Sequence, residues 1–179
     1  MKPSASELDA ESWAFALDIY ARPGVADACL SLQREAGVDV MLLLVIAFAA
    51  VKLRILLTPS EIRELDEACR PWREQIVRPL RAIRSGLKSG PLPAPSSETE
   101  QFRSKIKTVE LASERLQNQL LAERLPQRSP KPDAVAAEEI HIILGCVVTL
   151  FVEKRGTKPD ADLFPSIAKI VDAVMQEVR

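Results

Sequence analysis

The chain has 179 residues, 47% hydrophobic and 27% charged, with 24 basic against 25 acidic side chains and a formal charge of −1. That is too apolar for general disorder and fits one folded domain. A charge balance this even excludes a global pull toward nucleic acid or membranes, so only a local patch can supply one.

The N-terminal MKPSASELDAESWAF lacks the apolar core of a signal peptide. A first helix is expected from about Asp9 to Ala21, with Trp13, Ala16, Leu17 and Tyr20 on one face. Pro23-Gly24 stops it and opens a second helix, Val25 to Glu35, which ends at Gly37. Asp39 then caps a third helix reaching about Leu56. It contains the longest uncharged run, Val40 to Val51, bounded by Asp39 and Lys52. A bilayer span needs about 20 apolar residues, so these twelve are read as a buried central helix and no transmembrane segment is expected.

Thr58-Pro59-Ser60-Glu61 combines an N-cap threonine, proline at the first helical position and glutamate two residues later, a strong start signal. The fourth helix runs from Pro59 to about Leu87. Pro71 and Pro79 lie inside it, and each removes a donor and crowds the preceding turn, so a kink or break is expected near residue 70. GPLPAPSSETE, residues 90–100, reads as an extended, mobile Pro/Ser linker. A fifth helix, Ser97 to Leu125, carries a narrow stripe of Phe102, Ile106, Val109, Leu116 and Leu120, as in a hairpin or coiled-coil arm. Asp133 to Arg155 forms a sixth, apolar on every side around IHIILGCVVTLFV and closed by Gly156. Asp162 caps a seventh, with Leu163, Ile167, Ile170, Val171, Val174 and Val178 at helical spacing.

No stretch alternates with period two for long enough to argue for a sheet. The expectation is a single all-α domain over residues 1–179, with 133–179 as its C-terminal helical part. It is a bundle of six or seven helices. The third and sixth are central, and the fourth and fifth form a long amphipathic antiparallel pair. Cys29, Cys69 and Cys146 show no C-x-x-C spacing, which suits reduced thiols and a cytoplasmic location.

RPWREQIVRPLRAIRSGLK, residues 70–88, sets six basic residues against one acid. On an unbroken helix Arg70, Arg73, Arg81, Arg84 and Lys88 fall within roughly 80° of one another, with Arg78 a little apart. Trp72, Ile76, Leu80, Ile83 and Leu87 fall within roughly 80° on another sector. Three readings compete for the basic edge. It pairs internally, the first 39 residues with their seven acids and three bases offering a partner surface. It docks an acidic protein partner or anionic lipid. Or it binds nucleic acid, which this chain, without a basic pI or a recognition motif, does not favour.

His141 is the only histidine, and Glu138 precedes it at E-x-x-H spacing. Di-iron bundles use that motif twice, with two further glutamates; here one copy stands alone, as a low-ranked metal site or haem ligand. Cys146 lies five residues along the same helix on a different face and makes a poor catalytic pair. There is no G-x-S-x-G, P-loop or G-x-G-x-x-G. No cofactor is expected.

WAFALDIYARPGVADACLSLQREAGVDVMLLL, RPWREQIVRPLRAIRSGLK and IKTVELASERLQNQLL resemble an uncharacterised family of small, mainly proteobacterial proteins bearing a domain of unknown function. The likeness covers residues 10 to 125, and the Y-A-R-P-G-V…C-L-x-L-Q…G-V-D-V run is its most specific part. The family commonly has Asn after the D-V pair, where this chain has Met41. The resemblance implies a compact, helical, bacterial cytosolic protein and brings no activity, cofactor or catalytic residue. The expected function is non-enzymatic: an adaptor whose acidic partner docks on Arg70, Arg73, Arg81, Arg84 and Lys88 around an apolar anchor, Trp72. The alternative is a small-ligand or metal-dependent helical enzyme using Glu138 and His141; nucleic-acid binding through the basic edge ranks lower. Oligomeric state is not legible.

Overall fold

An uncharged run of twelve residues has to be surrounded, and the fold is arranged around it. The computed structural model describes residues 5–156, 158 and 162–178, and among them every regular element is helical. In chain order these are α1 (Ala5–Ala21), α2 (Val25–Ala36), α3 (Val40–Val51), α4 (Pro59–Trp72), α5 (Arg78–Gly86), α6 (Ser97–Ala122), α7 (Ala137–Arg155) and α8 (Phe164–Met175). A π-helical turn, Arg73–Val77, joins α4 to α5. With that rod counted once, the described residues form seven helical rods, the expected all-α bundle.

Residues 42–50 of α3 are all buried, and α1, α4, α6, α7 and α8 pack around them. The second expected central helix, α7, is only partly enclosed. Ile140, Ile143, Leu144, Val147, Leu150 and Phe151 face inward, but Ile142 on its outer side is 66% exposed. No side chain of α5 is buried, and none of α6 before Glu110. Together α5 and the first half of α6 form a two-helix arm beside the core.

The local signals set most boundaries. Gly37 takes the left-handed conformation (φ 72°) and its N–H bonds the carbonyl of Gln33 at 3.0 Å, closing α2. Asp39 Oδ1 accepts from the N–H groups of Met41 (3.0 Å) and Leu42 (3.2 Å) and opens α3. The box at α4 forms as expected, with Glu61 accepting from the Thr58 N–H at 2.8 Å. Asp162 accepts from the N–H of Phe164 at 3.0 Å ahead of α8.

Several features differ from expectation, and α1 already starts at Ala5 rather than Asp9. α3 ends at Val51, not near Leu56. Arg54 adopts φ 53°, the Ile55 N–H returns to the Ala49 carbonyl at 2.9 Å, and Lys131 N–H holds the Arg54 carbonyl at 2.9 Å. α7 starts at Ala137 rather than Asp133, where Glu139 accepts from the Ala136 N–H at 2.9 Å. The 90–100 segment, expected to be extended, turns instead: Ala94 N–H bonds the Pro91 carbonyl at 2.9 Å, Ala94 is buried, and α6 is already under way at Ser97.

The break foreseen near residue 70 arrives as the π turn. Pro79 donates nothing and its ring would crowd the carbonyl four residues back. A wider turn just before it, with the Arg78 N–H reaching back five residues to Arg73, relieves that crowding and lets the rod continue.

The stripe expected to seat α6 is not its buried face. Phe102, Val109 and Leu116 are exposed, whereas Glu110, Ser113, Gln117 and Asn118 are buried along with Leu121 and Ala122. Polar groups can face inward because each finds a partner. Asn118 Nδ2 donates to Asp9 Oδ1 at 2.8 Å, Ser12 Oγ donates to Asn118 Oδ1 at 3.0 Å, and Arg115 pairs with Asp9. Leu121→Ala should therefore lower the unfolding free energy by about 2–5 kcal/mol. Leu116→Ala, on the outer face, should cost under about 1 kcal/mol by urea denaturation in dilute solution.

Candidate functional site

An inserted π turn amounts to one extra residue, which rotates everything beyond it by about 100° relative to an unbroken α-helix. The five basic residues that the sequence places on one edge still line one cleft, at different depths. Arg73, inside the turn, points into the protein and is 4% exposed. Arg81, Arg84 and Lys88, beyond it, face a cleft, and Arg70 borders the same cleft from α4.

Arg73 sits at the centre of a buried ionic cluster. Its Nη1 donates to Asp66 Oδ1 at 2.7 Å and to Asp39 Oδ2 at 3.0 Å. Gln117 Nε2 donates to the same Asp39 oxygen at 2.5 Å, and Lys154 pairs with the other oxygen of Asp66. Asp66 is fully buried. The Arg73 guanidinium also lies over the Phe151 ring, 5.2 Å from its centroid. Burial works against its charge, but Asp39 and Asp66 more than offset that and hold it firmly protonated. Burial and the same two carboxylates push the Cys69 thiol up to about 12, so it is an inert neighbour rather than a nucleophile. Burial likewise takes Cys29 to about 12. The cluster ties the start of α3, the end of α4, α6 and α7 to one point.

Above this floor opens a cleft of about 1260 Å³, larger than the ~300–1,000 Å³ of a usual small-molecule pocket. α1 and α2 form one wall, the α4–α5 rod with α6 the other, and the last turn of α7 contributes Phe151, Lys154 and Arg155. Ten basic side chains line it against four acids, so its field is positive although the chain is nearly neutral. The α1–α2 wall is apolar, with Leu17, Tyr20 and Leu30 exposed on it, and Leu111 is exposed across from them on α6.

Arg81 and Arg84 belong to the arm. Arg81 Nε donates to Glu110 Oε1 at 3.0 Å and its fork reaches Glu114; Arg84 pairs with the other oxygen of Glu110. Burial pushes the Glu110 carboxyl up, but Arg84 and Arg81 outweigh it and hold it below the ordinary carboxylate value. At Glu114 burial wins, helped by neighbouring Glu110, and the carboxyl is pushed up despite Arg81. Arg78 bonds Glu74 at 2.9 Å and the Gly37 carbonyl at 3.3 Å. Among the described residues, Arg70, Lys88 and Lys107 are exposed with no side-chain partner.

Internal pairing therefore accounts for Arg73, Arg81 and Arg84. Their partners come mostly from α4 and α6; of the acid-rich first 39 residues, only Asp39 takes part. Arg73 is too buried to meet a macromolecule. Trp72 is half-buried and donates its indole N–H to the Ser113 carbonyl at 3.0 Å, so it packs α4 on α6 rather than standing free as an anchor. Sequence reasoning missed Asp39, Asp66, Gln117 and Lys154 as one cluster, because residues 39 to 154 meet only through the tertiary fold. Glu110 and Glu114 carried a signal: spaced by four, they share one face of the helix expected to lie antiparallel to the arginines.

His141 lies outside the cleft, its ring 4.5 Å from that of Phe164, and Glu138 is exposed. Among the described residues no group of three or more His, Cys, Asp or Glu is placed to hold a metal, and no helix is long and apolar enough to cross a membrane.

Residues 11–121 match the model of a family described as "Protein of unknown function (DUF2390)". The match spans more than half of the chain, and the chain belongs to that family. No curated protein and no solved structure matches it. The matched span supplies the whole cleft except the α7 residues.

Asp66→Asn leaves Arg73 and Lys154 short of a counter-charge in the interior and should cost about 3–5 kcal/mol in urea denaturation. A second expectation concerns pH. A depressed carboxyl adds stability that is present above its usual value of 4.5 and lost as pH falls through the folded value. Glu110→Gln should therefore destabilise at pH 7, and its gap from wild type should close on acidification. Glu114 has the opposite sign, since folding favours its protonated form. Glu114→Gln should be near neutral at pH 7, and thermal melts from pH 3 to 8 separate the two.

Proposed function

We propose that this member of the DUF2390 family is a non-enzymatic interaction protein that holds an acidic, amphipathic segment of a partner protein in the cleft. The observation that carries this reading is the lining: an excess of basic side chains faces exposed Leu17, Tyr20 and Leu30 across one concave space. A segment with carboxylates on one side and apolar side chains on the other answers both walls. Arg70 and Lys88 lie eighteen residues apart on one rod, which is roughly 27 Å at 1.5 Å per residue. That length suits a helix of a few turns or an extended strand of about eight residues, and exceeds a small metabolite.

The roles of the basic residues then differ. Arg81 and Arg84 are held by Glu110 and Glu114 and shape the wall. Arg70, Lys88 and Lys107, without internal partners among the described residues, supply charge for docking and for long-range attraction. Reversing Arg81 and Arg84 would set new acids against Glu110 and Glu114 and disturb the arm itself.

Arg70→Glu with Lys88→Glu is the cleaner test. The double variant should keep wild-type stability within about 1 kcal/mol and lose the proteins that wild type captures from native lysate. Capture by wild type should weaken as salt is raised. Identical captured sets from two folded proteins would contradict the reading.

A further inference from the structure

The side of the arm that faces away from the cleft is apolar and uncovered. Among the described residues twelve large hydrophobic side chains are exposed, and five lie on this side of the arm and its continuation toward the core: Ile76 and Ile83 on the α4–α5 rod, and Phe102, Val109 and Leu116 on α6. Their exposures run from 37% to 52%, which is half-buried against each other's helices and open on the outside. The α6 residues recur every seventh position. Their neighbours on the rod, Gln75, Pro79, Ala82 and Gly86, are exposed and uncharged, as is Ala112 on α6, while helical spacing sets exposed Glu98 and Lys105 beside Phe102 on the same face of α6. Large apolar side chains with few charges among them mark the core of an interface.

We infer that a second copy of this chain docks on this face, two arms meeting about a two-fold axis to complete a four-helix bundle. Two helices alone leave one side of their shared seam exposed, and a second such hairpin is the simplest object that covers it. A two-fold operator needs a self-complementary patch, and an apolar strip whose flanking charges on α6, Glu98 and Lys105, are of opposite sign meets that condition. The size is adequate. From Phe102 to Leu120 the face is roughly 27 Å long, and two helices are about 20 Å across, which is roughly 540 Å² per partner in projection, just past the ~1,000 Å² in total that a specific contact needs. The cleft lies on the opposite side of the arm and stays open in such a dimer.

The test is sedimentation velocity on the full chain from about 1 to 200 µM, a range bracketing micromolar association. Wild type should converge on twice the 19.8 kDa of one chain. Val109→Glu and, separately, Ile83→Glu should weaken dimerisation by at least about 100-fold, because the symmetry places each new charge in the interface twice. Both should keep their helical circular dichroism, since each site is half-exposed in the single chain. Leu30→Glu, in the cleft, should leave the dimer intact. A wild type that stays at one chain's mass throughout overturns the inference, as does a dimer that survives both arm substitutions. So does a dimer abolished by Leu30→Glu, which would place the contact in the cleft.

Discussion

Arg73 is the point on which the arrangement turns. A buried guanidinium is tolerated only with its charge matched and its donors engaged, and here the matching carboxylates are Asp39 ahead of α3, Asp66 on α4 and Glu74 in the π turn. Asp39 already serves as the cap of α3, so the charge that neutralises Arg73 also fixes where the central apolar helix begins. Asp66 and Lys154 extend the cluster from α4 to α7, and Gln117 brings in α6. Replacing such a cluster with well-packed apolar groups often costs nothing, so its value here lies in register. Five side chains that need one another admit one relative placement of their helices.

The π turn begins at Arg73, which therefore keeps the register of α4, with its partner Asp66 seven residues back on the same face. Beyond the turn, Arg81, Arg84 and Lys88 line the wall of the cleft whose buried floor is Arg73. Pro79 gives the turn a local cause.

The fold was legible where the signals are local. Gly37, Asp39, the Thr58–Glu61 box and the uncharged length of α3 each act through neighbours in the chain, and each does what it announces. The site was less legible. Spacing showed the basic segment and its hairpin context, but an unbroken helical wheel could not know of the π turn. Nothing near Asp66 or Lys154 in sequence points to a partner 88 residues away. The α6 stripe misled for a related reason. Apolar periodicity identifies a face that seeks cover, not which neighbour covers it, and the core took the polar face because Asp9, Ser12, Asp39 and Trp72 satisfied it.

The central claim is that the positively charged, half-apolar cleft above Arg73 receives an acidic amphipathic segment. The chain has two tryptophans, and they report separately: Trp13 lines the cleft, while Trp72 is bonded between α4 and α6. The direct measurement is an NMR titration of the two indole N–H signals with a short peptide of alternating glutamate and leucine blocks, at low and high salt. The account predicts that the Trp13 signal moves, that the Trp72 signal stays, and that the shift fades as salt rises. Equal movement of both signals, or none from Trp13 at low salt, would contradict it.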